Sequence, residues 1–168
     1  MGLAAAMLAK QQGSIVATTT RKIERAAMLK SQGADHVFID GGNIAEEVRQ
    51  VFPEGVDKVL ELVGTTTLLD SLQCAVDSGS VCMTGMVGNA WELNQFSPMD
   101  AIPSTVNLTT YSGGSRDFIN TPLQKVINDV QEGRLKPSIG HVFKLDDIAE
   151  AHRCMENDAA GGKIVVLT

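Results

Sequence analysis

Aromatic side chains are scarce in this 168-residue chain, at 4% of the total. Nucleic-acid bases stack on platforms of such rings, and none is on offer here. Positive charge is not in surplus either. The formal net charge is −6, which argues against a nucleic-acid or anionic-membrane surface. Any phosphate must therefore meet a local cluster of cations. No apolar stretch approaches membrane-spanning length. Residues 1–10 are apolar, but the run is short and its charge follows it, unlike a secretory leader. Ala6 stands where a myristoylation signal needs Ser or Thr. Cys74, Cys82 and Cys154 form no Cys-x-x-Cys pair, and this odd, widely spaced set reads as reduced, buried thiols. These absences lead us to expect a cytoplasmic protein without a membrane partner.

What remains has the balance of an ordinary globule, with 43% hydrophobic and 20% charged residues. The length suits one domain spanning residues 1–168. Strands and helices alternate along it. Residues 3–12 are strong helix formers stopped by Gly13. Residues 14–18 are β-branched and predict a strand, and residues 22–32 predict a helix ended by Gly33. Residues 36–40 predict the next strand. Asn43 is placed to cap a helix carrying Ile44, Val48 and Val51 at helical spacing. A longer strand over 56–63 is followed by a helix with Leu68, Leu72 and Val76 on its inner stripe. Residues 80–84 and 106–111 predict two more strands, separated by a polar loop over 89–104. Thr121-Pro122-Leu123-Gln124 reads as a capping box opening a helix with Leu123, Val126, Ile127 and Val130 inward. Asp146 is placed to cap a last helix, and Lys163–Leu167 a last strand. Such alternation means βαβ units and a Rossmann-like, doubly wound parallel sheet. A chain of this class opens on a strand, whereas this one opens on a helix. The expected architecture is therefore such a sheet with its first strand missing.

The chemistry is read from the strand ends. A dinucleotide fingerprint needs its third glycine just inside the first helix, where Gly2 stands; its two earlier glycines would precede Met1. NAD sites close the second strand with an acid that holds the ribose hydroxyls. Here that strand ends Thr18-Thr19-Thr20-Arg21-Lys22, with Arg25 close behind and no acid at the turn. Cations at a helix start oppose its dipole, at about 0.3–1 kcal/mol each when exposed, and a bound phosphate reverses that penalty. The pattern points to a 2′-phosphate and hence to NADP(H), with Arg21 foremost. The bland alternative is that these side chains simply point into water. Small residues also close the other strands, at Asp40-Gly41-Gly42, Leu62-Val63-Gly64 and Thr84-Gly85-Met86. They stand at the carboxyl edge where open α/β sheets bind ligands.

The run from Gly2 through Ala34-Asp35-His36 to Val63-Gly64 resembles the nucleotide-binding domain of the medium-chain, zinc-type alcohol dehydrogenases. Their quinone-reductase branch is nearest in pattern. Ile148-Ala149-Glu150-Ala151-His152 and Gly162-Lys163-Ile164-Val165-Val166 match that family's closing signature, and the resemblance covers nearly the whole chain. It implies hydride transfer between NAD(P)H and a carbonyl, quinone or alcohol. It implies that Thr19, Thr20, Arg21 and Lys22 meet the 2′-phosphate, and that Asp40, Leu62, Val63 and Gly64 border the adenosine and its ribose. Thr84, Gly85, Met86 and Val87, with the strand end near Tyr111, would border the nicotinamide. Catalytic residues and any zinc ligands belong to a separate domain in that family, so none is assigned here. Residues from about 141 to 168 would pack on that domain, and the chain alone is expected to be inactive.

Two other readings share the fold. A non-catalytic NADPH-binding or interaction module is not separable within these residues. A methyltransferase would favour an acid closing the second strand, which Thr18-Thr19-Thr20-Arg21 does not supply. His36, His141 and His152 match no triad or metal spacing. Strands that lose a central neighbour invite pairing with another chain, so a homo-oligomer is expected.

Overall fold

A computed structural model describes residues 1–168. In chain order it contains α1 (Gly2–Gln11), β1 (Ala17–Thr20), a 3-10 turn (Ile23–Arg25), α2 (Ala26–Ser31), β2 (His36–Ile39) and α3 (Ile44–Val51). Then come β3 (Val56–Glu61), α4 (Thr65–Gln73), β4 (Ala75–Met83), α5 (Pro98–Ala101) and β5 (Asn107–Thr110). The chain closes with α6 (Ser115–Asn120), α7 (Leu123–Gln131), β6 (Ile139–Lys144), a 3-10 turn (Leu145–Asp147), α8 (Ile148–Glu156) and β7 (Lys163–Leu167).

Every strand pair is parallel. β1 pairs with β2, Ala17 opposite His36, and β3-β4-β5 form a second sheet with Val81 opposite both Val59 and Leu108. β6 and β7 pair apart from both. The α/β alternation is as expected, and all connections within sheets cross over through helices. β1 and β3 are not hydrogen-bonded to each other, so each has one edge without a strand partner.

Two apolar clusters hold the layers together. Phe38, Ile44, Ala45, Val48 and Cys74 join α3 to β2, while Leu68, Leu72, Ala75, Val81 and Val106 join α4 to β4. Val59 of β3 packs against both clusters and so ties the layers into one core. Leu72 and Val81 are fully buried, at 0% exposure. Burying a side chain of this kind stabilises by about 1.5–3 kcal/mol. Of the thiols, only Cys74 is buried; Cys82 and Cys154 are half-buried, and all three are free. Burial pushes the Cys74 thiol up to about 11. No helix is long and apolar enough to cross a membrane.

Several local expectations are corrected. Asn43 precedes α3 but spends its amide on Glu46, at 2.9 Å. The free N–H groups of Ile44 and Ala45 instead donate to the Asp70 carboxylate on α4, at 2.7 and 3.3 Å. A full negative charge at a helix start outcompetes a neutral amide. Thr121 builds no capping box: its hydroxyl donates back to the Asp117 carbonyl at 2.8 Å, closing α6, a helix the sequence pattern did not predict. Asp146 lies within the 3-10 turn, and Asp147 takes the cap position of α8. The first strand is shifted to Ala17–Thr20, and Val76 belongs to β4 rather than to the preceding helix. The loop over 89–104 contains α5, and β6 was not predicted at all. Gly140 near the start of β6, where the register shifts, disguises it as a turn.

Candidate functional site

Residues flagged from sequence fall into two groups, one at the carboxyl end of the β1-β2 sheet and one at that of the β3-β4-β5 sheet. The first group closes β1 and β2. The Thr20 hydroxyl accepts from the Lys22 N–H at 3.1 Å, which turns the chain sharply out of the strand. Asp40 lies alongside: its N–H donates to the Thr20 carbonyl at 2.8 Å, and its carboxylate accepts from the Gly42 N–H at 2.9 Å. Thr19 stays in register with Phe38. Arg21 is exposed and forms no ion pair or hydrogen bond. Its neighbours are committed. Arg25 reaches Asp158 at 2.7 Å and Lys22 reaches the same carboxylate oxygen at 3.3 Å. The Arg25 guanidinium, with Lys22 beside it, holds the Asp158 carboxyl below its ordinary value.

The second group is interlocked. Glu61 ends β3 and is buried, at 5% exposure. One of its oxygens accepts from the N–H groups of Val63 and Gly64, at 2.7 and 3.1 Å, and the other accepts from the Ser71 hydroxyl. A buried carboxylate is tolerated only when it is satisfied in this way. It fixes the turn Leu62-Val63-Gly64 and anchors it to α4. That turn then meets the end of β4. Thr84 donates its N–H to the Glu61 carbonyl at 2.9 Å, and Gly88 donates to the Val63 carbonyl at 2.7 Å. Gly64 has φ +106°, and a Cβ there would stand 2.9 Å from the Gly85 carbonyl oxygen. A Cβ on Gly85 would collide with the Leu62 carbonyl. Both glycines are needed for the two turns to touch.

Gly2 joins this group at the start of α1, where a Cβ would sit 3.6 Å from Leu62 Cδ1. The Thr84 hydroxyl donates to the Tyr111 carbonyl at 2.8 Å. Together with Gly85, Met86, Trp91 and Met1 they line an open cleft of about 510 Å³. Val87 lies just beyond it, 79% exposed. Sequence reasoning missed Glu61. Its signal was an acid at the end of a strand, with Ser71 near the second turn of the next helix.

The histidines are otherwise occupied. His36 stacks edge-on to Phe52 at 5.0 Å, and His141 lies beside Phe143 at 5.9 Å. His152 is exposed on α8. No three His, Cys, Asp or Glu side chains gather in a way that would hold a metal ion.

Known proteins place this arrangement. Residues 32–166 match the family model described as zinc-binding dehydrogenase. The quinone oxidoreductase of Pongo abelii is 28% identical over 174 residues, covering 99% of this chain and 51% of that protein. The acryloyl-coenzyme A reductase of Sulfurisphaera tokodaii is 26% identical, covering 99% of this chain and 47% of its own. The chain thus spans about half the length of the curated relatives it matches. Among solved structures, a mycobacterial protein complexed with NADPH superposes with a TM-score of 0.82 at 25% identity, covering 99% of this chain and 53% of that one. The Pseudomonas syringae quinone oxidoreductase gives 0.84 at 21% identity, over 99% of this chain and 53% of that one, a likeness of fold. The chain belongs to the zinc-binding dehydrogenase family, and its relatives include oxidoreductases.

Proposed function

We propose that this chain is the NADP(H)-binding part of an oxidoreductase that moves hydride between the nicotinamide and a carbonyl, quinone or alcohol. One observation carries the cofactor preference. Arg21 stands at the carboxyl end of β1 with no partner, and no acid closes that strand. Thr19, Thr20 and Lys22 complete a surface of donors for the 2′-phosphate. The groups present fit such a cofactor. A Cβ at Gly41 or Gly42 would meet nothing within 4 Å, so backbone there is open to an approaching ribose beside Asp40. The turns Leu62–Gly64 and Thr84–Val87 offer rigid backbone for the adenosine side and the nicotinamide side. The latter opens into the 510 Å³ cleft beside Tyr111.

Bound nicotinamide supplies the hydride. The chain's own residues position it: Arg21 holds the phosphate end, the Glu61-braced turn gives the ribose side a rigid backbone, and Met86 and Trp91 supply apolar lining to the cleft. The side chains of this chain gather no zinc site. On its own the chain is expected to turn over no quinone, enone or alcohol. Its free β5 edge, paired only with β4, suits a homodimer, and light scattering would then give a mass above the 17.9 kDa of one chain.

Titrating NADPH and NADH against the chain and its Arg21→Ala variant tests the reading. NADPH should bind more tightly, and the variant should lose at least about tenfold for NADPH alone, the worth of one charge-assisted hydrogen bond. Equal affinities, or no loss in the variant, overturn it.

A further inference from the structure

The strand end that lacks an acid in sequence acquires one in space. Asp158, 133 residues beyond Arg25, places its carboxylate between two of the three cations at this end of β1. We propose that Asp158 is a specificity-determining residue, an internal anion standing where a 2′-phosphate would sit between Lys22 and Arg25. It weakens the binding of phosphorylated cofactors without affecting unphosphorylated ones. The inference rests on the nucleotide site proposed above.

Three features support it. Arg25 is held twice, by the Asp158 carboxylate at 2.7 Å and by the Asp158 carbonyl at 3.3 Å, so both polar groups of one residue are aimed at it. The position is also built. Asp158 follows the Asn157 cap of α8 with φ +52°, and the N–H groups of Asp158 and Ala159 donate to the Met155 and Cys154 carbonyls, each at 3.1 Å. Asp and Asn are among the few side chains that tolerate this left-handed cap. Finally, the cluster is open to solvent, with the Asp158 side chain 63% exposed, Lys22 48% and Arg25 33%. Ion pairs this open contribute little to folding, so fold stability gives Asp158 little reason to sit there. A phosphate brings more charge and three acceptor oxygens, so it displaces a single carboxylate. Binding of NADP(H) then releases the turn after α8, whereas NAD(H), which offers only hydroxyls, leaves the pair closed.

The test uses the full chain with 2′,5′-ADP and 5′-AMP as calorimetric probes. Asp158→Asn keeps the backbone cap and should tighten 2′,5′-ADP by about two- to fivefold, the worth of one exposed ion pair. It should leave 5′-AMP and Tm unchanged. Glu156→Gln removes the same charge nearby and should change neither affinity. Unchanged or weaker 2′,5′-ADP binding in Asp158→Asn overturns the proposal, as does an equal gain in Glu156→Gln. If 2′,5′-ADP binds no better than 5′-AMP and Arg21→Ala has no effect, the nucleotide site itself fails and this inference falls with it. If that preference and the Arg21 dependence hold while Asp158→Asn is silent, only this inference fails.

Discussion

The two sheet ends present opposite solutions to holding a ligand. At β3 and β4 the turns are locked into each other by Glu61, Gly64 and Gly85, and almost every polar group is satisfied by protein. At β1 and β2 the groups that matter are exposed side chains, of which Arg21 is uncommitted and Lys22 and Arg25 are borrowed by Asp158. The first end offers shape, and its residues cannot change without disturbing the fold. The second offers charge, and its residues can be exchanged at little structural cost. Binding at the first should therefore be insensitive to which cofactor arrives, while discrimination belongs to the second.

The largest expected effect lies beneath the locked end. Leu72→Ala empties a site of 0% exposure and should cost about 2–5 kcal/mol in denaturant unfolding. Arg21→Ala should stay within about 0.5 kcal/mol of the parent. Comparable losses in the two would erase the contrast between the ends.

Gly85→Ala drives a methyl group into the Leu62 carbonyl. Overpacking of this kind costs about 1–3 kcal/mol. It should also weaken NADPH and NADH by the same factor, because the displaced turn is proposed to border parts common to both. A selective loss of NADPH in this variant would place discrimination at the wrong end.

A smaller effect separates two acids that each hold two cations. Asp129, at 2% exposure, binds Lys125 at 2.7 Å, Arg134 at 2.5 Å and the Gln11 amide at 2.8 Å, tying α7 to α1. These donors, Lys125 first, hold its carboxyl well below the usual range. A depressed folded pKa adds stability above the unfolded value of about 3.9, and that stability is lost as pH falls toward the folded value. The Tm gap between the parent and Asp129→Asn should thus be constant near neutrality and close below about pH 4. The Lys125 and Arg134 side chains are 59% and 51% exposed and can rehydrate, which moderates the loss. No such gap is expected for Asp158→Asn at neutral pH, where its exposed pair contributes little. A gap that widened in acid would reverse the sign of this linkage.

Strand ends were the most legible feature of the sequence, because glycine after a β-branched run marks a turn whatever surrounds it. Periodicity likewise identified the buried Ile44 and Val48 of α3 and Leu68 and Leu72 of α4. The apolar stripe expected to face inward on α7 instead lies open: Leu123, Ile127 and Val130 are exposed, and the buried residue of that helix is Asp129. Long-range partners were not legible. Asn43 looked like a cap because local pattern cannot see Asp70, which is 26 residues from Ile44 and takes its N–H. Glu61 lay inside the strand expected over 56–63 and drew no notice, because its three donors come from the turn that follows and from Ser71, ten residues on. Asp158 was invisible as a partner of Arg25 for the same reason. Arg21, by contrast, was legible because it depends on nothing but its own strand.

The most direct measurement is amide NMR of the full chain during titration with NADPH. Shifts are expected together at Thr19–Lys22, at Leu62–Gly64 and at Thr84–Val87, the carboxyl ends of β1, β3 and β4. Shifts confined to the opposite hollow around Lys10, Gln32 and Arg134, or none at saturating NADPH, would contradict the assignment of the nucleotide site.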